Sequence, residues 1–195
     1  MTAFKIGVVG AAGRMGQMLV REAAAAEGCL VAGGTERAGS PALGRDLGEL
    51  AGIDALGVEA TADADALFRA SDAVLDFTAP AATLAHARFA ARHRKIHIIG
   101  TTGIDKAAEA EIAVAGKTAT IVLAPNMSLG VNLALLLVEQ VSGALGPDWD
   151  IEILEMHHKH KVDAPSGTAL GLGRAAAKGR GVALEQASQR VRDGV

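Results

Sequence analysis

Aromatic side chains make up only 3% of this 195-residue chain: four Phe, one Trp and no Tyr. With 50% hydrophobic content, the core must therefore be aliphatic, built from Val, Ile, Leu and abundant Ala. Cysteine is as scarce, since Cys29 stands alone and no internal disulfide can form. No apolar run reaches the roughly 18 residues of a membrane span. The first residues enter a strand pattern directly, without the charged and then apolar regions of a signal peptide, so a cytoplasmic location is expected. An excess of charge is missing too. Nineteen Lys and Arg against 22 Asp and Glu give a net charge of -3, which offers no global attraction to nucleic acid or an anionic membrane. Neither is expected as a partner. Length and a mean hydropathy of +0.27 permit a sizeable core in one or two domains. Internal repeats and low-complexity linkers are also lacking.

What is present is an alternation of apolar strand-like runs with Ala-rich helical ones. Strands are predicted at 4–9, 29–33, 73–77, 96–99 and 120–123, and helices at 15–27, 80–92 and 106–115. That order predicts an α/β fold with a parallel sheet covered by helices on both faces. The stretch 38–57, rich in Gly and charge, reads as an irregular connection. After Ala124-Pro125-Asn126 the pattern changes to a long apolar helix near 131–144 and a strand over 149–156. The expected division is a dinucleotide-binding domain, 1–126, and an α+β substrate-binding and catalytic domain, 127–195.

The first strand runs into Gly10-Ala11-Ala12-Gly13-Arg14-Met15-Gly16, a G-x-x-G-x-x-G spacing at a strand-to-helix turn. Glycines there allow a tight turn, close approach of a pyrophosphate to the backbone, and close packing of helix on strand. Twenty residues after Gly16, Glu36 ends the second strand pattern, where a ribose-binding acid is expected; an ordinary surface acid is the other reading. Arg37, and with it Arg14, could bind the 2′-phosphate that Glu36 alone would repel. Both NADH and NADPH are therefore expected as cofactors.

The densest chemistry lies in Glu155-Met156-His157-His158-Lys159-His160-Lys161-Val162-Asp163-Ala164-Pro165-Ser166-Gly167-Thr168-Ala169. Three imidazoles and two ammonium groups in five positions repel one another unless an anion lies among them. Ser166 fits an N-cap, and a helix opening at Gly167 offers free amides and a positive dipole end to a carboxylate or phosphate. Two other readings stay open, a solvated basic loop and a metal site using Glu155, His158 and His160. Against the metal, a divalent cation about 4 Å from Lys159 or Lys161 would meet a repulsion of several kcal/mol. No metal is expected. His86, His93 and His97 have no acid partner within sequence reach and read as structural or exposed. Phe77 reads as core, Asp163 as a cap or turn residue, and Thr101-Thr102 as either a turn or a ligand contact.

These motifs, with Asp76-Phe77-Thr78, Gly100-Thr101-Thr102-Gly103 and Ala124-Pro125-Asn126-Met127-Ser128, resemble those of the 4-hydroxy-tetrahydrodipicolinate reductase family, also called dihydrodipicolinate reductase, along essentially the whole chain. The resemblance implies a Rossmann-type first domain and reduction of a cyclic dicarboxylate by NAD(P)H, with loss of water, in lysine and diaminopimelate biosynthesis. It implies that His157 is the general acid/base and Lys161 the proton donor, and that His158, Gly167 and Thr168 contact substrate. It also implies that Gly10, Ala11, Ala12, Gly13, Arg14, Met15, Glu36, Arg37, Gly100, Thr101, Thr102, Ala124, Pro125, Asn126 and Met127 line the cofactor site. Chains of the family continue for several more strands and a final helix. An incomplete second domain is therefore expected here, and the family's homotetramer is not expected to carry over unchanged. Two further classes remain at this stage: an NAD(P)-binding module or inactive fragment without turnover, and a reductase of another small oxo or imino dicarboxylate.

Overall fold

The computed structural model describes residues 3–124, 126–157, 159 and 164–190. It divides into two compact units, Met1–Ala124 and Pro125–Val195. The first contains β1 (Phe4–Val9), α1 (Arg14–Ala25), β2 (Cys29–Thr35), α2 (Leu47–Ala51), β3 (Ala60–Thr61), α3 (Ala64–Ala70), β4 (Ala73–Asp76), α4 (Pro80–His93), β5 (Ile96–Ile99), α5 (Lys106–Ala115) and β6 (Thr120–Leu123). The second contains α6 (Leu129–Leu145), α7 (Gly167–Gly179) and α8 (Leu184–Ala187).

All six strands pair in parallel, in the order β3-β2-β1-β4-β5-β6. This is the doubly wound arrangement, whose chain order reverses between β1 and β4 and opens a ligand crevice at the carboxyl ends of those strands. Successive side chains of a strand point to opposite faces, which assigns Val8 and Val9 to different cores. Val8 packs with Val20, Ala23, Val31 and Leu47 of the α1/α2 side. Val9 packs with Leu67, Phe68, Val74 and Ala90 of the α3/α4 side, while Ile99 joins Ala87 and Ile112 of α4 and α5. Both faces are thus sealed mostly by aliphatic side chains, with Phe68 buried on the α3/α4 side and Phe89 packed against it.

Local chemistry fixes the element ends. Asp63 and Asp105 accept the amides of Ala66 and Ala108 at the starts of α3 and α5, and Pro80 opens α4 where its missing N–H is harmless. The connection 38–57, expected to be irregular, carries α2, and α3 follows it. The cause is Asp46, whose carboxylate accepts the amides of Gly48, Glu49, Leu56 and Val58 and closes the loop around one side chain. The hydrogen bond from Leu56 and the other amides hold its carboxyl below the ordinary carboxylate range.

In the second unit α6 packs on α7 through glycine. An added Cβ on Gly143 would stand 2.9 Å from the Gly179 carbonyl oxygen, so the two backbones are nearly in contact. The strand expected over 149–156 does not form. Alternating side chains select faces, but a strand also needs a neighbour for its amides and carbonyls, and no strand lies in this unit among the described residues. The segment is extended chain fastened elsewhere: the Arg180 guanidinium donates to the Trp149 carbonyl. No helix among the described residues is long and apolar enough to cross a membrane.

Candidate active site

At the end of β1 the chain turns through Gly10, whose φ of +68° is costly for any side chain. Gly13 then serves as N-cap of α1 without a side chain to take up the following amides, so those of Arg14 and Met15 have no acceptor among the described residues. Gly16 permits the close approach of helix and strand, because an added Cβ would overlap the Gly10 carbonyl oxygen and stand 2.7 Å from Ala11 Cα. Across the loop, Glu36 at the end of β2 accepts the amide of Ala12 at 2.9 Å. Ala12, Gly13, Glu36, Arg37, Ser40 and Arg45 wall a groove of about 430 Å³. It has the cationic side chains, the acid and the open helix start on one surface. A second cavity of about 400 Å³, apolar and lined by Leu137, Val141 and Trp149, contains none of the expected site residues.

On the other side of the sheet's reversal, Gly100, Thr101 and Thr102 follow β5. Gly100 lies flat against Phe77, since an added Cβ would overlap its ring. Thr101 is buried and accepts the Thr78 amide at 3.0 Å and the Thr83 hydroxyl at 2.8 Å, while Thr102 is exposed. Beneath these loops sits Asp76, fully buried. Its Oδ1 accepts the Thr78 hydroxyl at 2.6 Å, and its Oδ2 faces His86 Nδ1 at 2.8 Å and His97 Nε2 at 3.1 Å. Burial alone would push this carboxyl up, but the hydrogen bonds from His86, His97 and Thr78 outweigh it and hold the group well below the ordinary range.

The histidines that have no acid within sequence reach find one in the fold. His86 and His97 share Asp76, and His93 Nε2 lies 3.0 Å from Asp65. Sequence separation concealed the pairs: Asp76 ends β4, His86 rides on α4 and His97 on β5, and only parallel pairing brings them together.

In the second unit, His157 Nδ1 lies 3.4 Å from Glu155 Oε2, and Glu155 Oε1 accepts the Ser166 amide at 2.8 Å. The carboxylate thus links the histidine to the start of α7. Ser166 Oγ takes the Ala169 amide, leaving those of Gly167 and Thr168 without an acceptor among the described residues. Asn126 Nδ2 reaches the Thr168 hydroxyl at 3.4 Å, so an expected cofactor contact touches an expected substrate contact. Met127 is exposed, Ala124 half-buried and Lys159 exposed. Pro125, His158, His160, Lys161, Val162 and Asp163 lie outside the described residues. No cluster of three potential metal ligands occurs among the described residues.

The family model described as dihydrodipicolinate reductase, N-terminus, matches residues 4–127, and its C-terminal counterpart matches residues 130–194. The chain belongs to the dihydrodipicolinate reductase family. The 4-hydroxy-tetrahydrodipicolinate reductase of Parvibaculum lavamentivorans is 59% identical over all of this chain and 73% of its own length. The enzyme of that name from Chelativorans sp. is 58% identical over 96% of this chain and 68% of its own. Among solved structures, dipicolinate-bound dihydrodipicolinate reductase from Paenisporosarcina sp. TG-14 superposes with a TM-score of 0.71 at 26% identity, over 91% of this chain and 67% of that one.

Dihydrodipicolinate reductases are NAD(P)H-dependent oxidoreductases, and the residues present fit a nicotinamide dinucleotide. The side-chain-free turn at Gly10 and Gly13 and the uncapped start of α1 suit a diphosphate, and the groove beside Glu36 suits its ribose. What the sequence reading of this reductase chain missed is the polar centre at Asp76. A signal for it existed: Thr83, His86 and Ala90 recur at helical spacing on α4, placing a hydroxyl and an imidazole on the face that packs on the sheet.

Proposed function

We propose that this chain reduces 4-hydroxy-tetrahydrodipicolinate to tetrahydrodipicolinate, with loss of water, in lysine and diaminopimelate biosynthesis in the cytoplasm. When bound, the nicotinamide supplies the hydride. Gly10, Ala11, Ala12, Gly13, Arg14 and Met15 hold the diphosphate of the nucleotide, and Glu36 accepts its adenosine ribose hydroxyls. Arg37, exposed on the same groove, lets the site take NADPH as well as NADH, since a guanidinium offers a 2′-phosphate the opposite charge and paired donors. Gly100, Thr101, Thr102, Ala124, Pro125, Asn126 and Met127 complete the cofactor contacts.

The dicarboxylate is held by the other unit. The observation that carries this assignment is the start of α7, where two amides stand open beside the Glu155–His157 pair. A carboxylate at Gly167 and Thr168 would meet N–H donors and the positive end of the helix dipole. Glu155 favours a proton on His157 Nδ1, which leaves Nε2 to exchange a proton with the substrate. His157 is the general acid/base, Lys161 delivers the proton that accompanies the hydride, and His158 contacts substrate. Negative charge that develops on the substrate as hydride adds would be neutralised by that proton.

The test is oxidation of NADH and NADPH in the presence of freshly synthesised 4-hydroxy-tetrahydrodipicolinate, with calorimetric binding of pyridine-2,6-dicarboxylate in parallel. Turnover with both nucleotides is expected. Nucleotide and dicarboxylate binding without turnover would instead identify a binding module, and absence of dicarboxylate binding would refute the substrate assignment.

A further inference from the structure

Two loops at the carboxyl end of the sheet, those after β4 and β5, and the first turn of α4 are tied to one buried carboxylate. Asp76 Oδ1 holds the Thr78 hydroxyl at 2.6 Å, the Thr83 hydroxyl at 3.2 Å and the Thr101 hydroxyl at 3.3 Å. Thr101 in turn accepts the Thr78 amide, which locks the loop after β4 to the loop after β5. Thr78 Cγ2 stands where a Cβ on Gly10 would be only 2.9 Å away, so the glycine loop after β1 rests on the same threonine.

The opposite oxygen is fixed by two imidazoles. His97, fully buried on β5, presents Nε2 to Asp76 Oδ2, and its Nδ1 has no hydrogen-bond partner among the described residues. The proton therefore sits on Nε2, where it finds an acceptor. His86 presents Nδ1 from α4, and Phe68 packs edge-on against His97 with ring centroids 5.3 Å apart. The carboxylate has no freedom to rotate.

We infer that Asp76, held by His86 and His97, is a positioning residue that sets the loops after β4 and β5 to receive the nicotinamide half of the dinucleotide. This rests on the nucleotide reading above. With the adenosine ribose at Glu36 beyond β2 and the diphosphate at the end of β1, the remaining half of the molecule extends over the ends of β4 and β5. Those ends carry Thr78, Gly100 and Thr101. Asp76 touches neither nucleotide nor substrate and acts only through these threonines.

The experiment compares dissociation constants of NADH and of ADP-ribose, which lacks the nicotinamide, for the wild-type chain and for Asp76→Asn, His86→Ala, His86→Asn, Thr101→Val and Thr101→Ser. Wild type is expected to prefer NADH. In Asp76→Asn, His86→Ala and Thr101→Val the preference should shrink by about fivefold or more, the scale of one strong hydrogen bond, while ADP-ribose affinity stays within about threefold. His86→Asn, which can return an N–H to the same place, and Thr101→Ser, which keeps the hydroxyl, should restore it. An unchanged preference in the folded Asp76→Asn protein, or equal weakening of both ligands, would overturn the inference. If Asp76→Asn fails to fold, the His86 and Thr101 pairs decide by the same criterion. Wild-type protein that binds neither ligand would refute the nucleotide reading itself, and equal binding of the two would refute the positioning role alone.

Discussion

Replacing Gly16 by Ala sets two effects of opposite sign against each other. Gly16 is the third residue of α1, where Ala is worth nearly 1 kcal/mol more than Gly in helix propensity. Against this, the new Cβ would stand 2.7 Å from Ala11 Cα and 2.8 Å from Ala11 C, and would overlap the Gly10 carbonyl. Carbon atoms pack best at about 3.5–4.0 Å, so α1 has to retreat from β1 by roughly 1 Å. The obstructing atoms are backbone and cannot rotate away. Overpacking of this kind costs about 1–3 kcal/mol, and here the upper end applies, leaving a net loss near 2 kcal/mol after the propensity gain. Melting should fall by about 4–8 °C. On the proposed nucleotide site, the same retreat would withdraw the α1 amides from the diphosphate, and losing one charge-assisted hydrogen bond should weaken NADH by about tenfold or more. Differential scanning fluorimetry and calorimetric titration read both quantities. Gly171→Ala is the control: its Cβ would meet only the flexible Leu135 side chain at 3.4 Å, so the propensity gain should survive. A Gly16→Ala protein that melts at or above wild type, with an unaltered NADH constant, would refute the claim that this glycine exists for close approach.

Removing the guanidinium by Arg37→Ala should weaken NADPH far more than NADH in calorimetric titration; equal losses would mean that Arg37 does not meet the 2′-phosphate. His157→Ala should lower kcat by about 10²–10⁴-fold with little change in NADH affinity, and stopped-flow rates with an unimpaired chemical step would remove it from the mechanism. Asp76 makes acid stability a third test. Its folded-state pKa is depressed below the ordinary value, so its contribution is fully present above the ordinary carboxylate range and is lost as pH falls through that range toward the folded value. Thermal melts from pH 7 to pH 3 should steepen at the acid end, and Asp76→Asn should flatten that slope; parallel curves for the two proteins would contradict the assignment.

Five of the six strands of the first unit were legible because parallel strands buried on both faces read as short apolar runs; β3, only the two residues Ala60–Thr61, is too short to leave such a run. Residues 96–99 and 120–123 are bounded in the structure as in the sequence pattern. The glycine loop and the Ser166 cap were legible for a related reason: each is a local device whose partners lie within a few residues. What escaped was order imposed by one side chain on many distant donors. Asp46 gathers four amides spread over residues 48 to 58 and turns a polar stretch into a helix and a closed loop. Asp76 gathers donors from α4, β5 and two loops. Neither leaves a period of two or 3.6, so periodicity cannot find them.

The failed strand over 149–156 shows the converse error. There the alternation was present, but the interactions that would have turned it into a strand depended on a partner that the pattern cannot supply. Hydrophobic period reports which face a segment offers, and hydrogen-bond accounting decides what the segment becomes. The same distinction separates the candidate residues of the first unit from those of the second. At Gly10 to Gly16 the donors belong to a helix start, and glycine spacing alone announces them. At Glu155 the carboxylate has Oε2 3.4 Å from His157 Nδ1, while through Oε1 it reaches eleven residues ahead to the Ser166 amide. Asn in place of Glu155 would be too short for this bond, whereas Gln would keep its length and lose its charge. Glu155 thus meets His157 through one carboxylate oxygen and the start of α7 through the other, two partners that a single position in the sequence does not reveal.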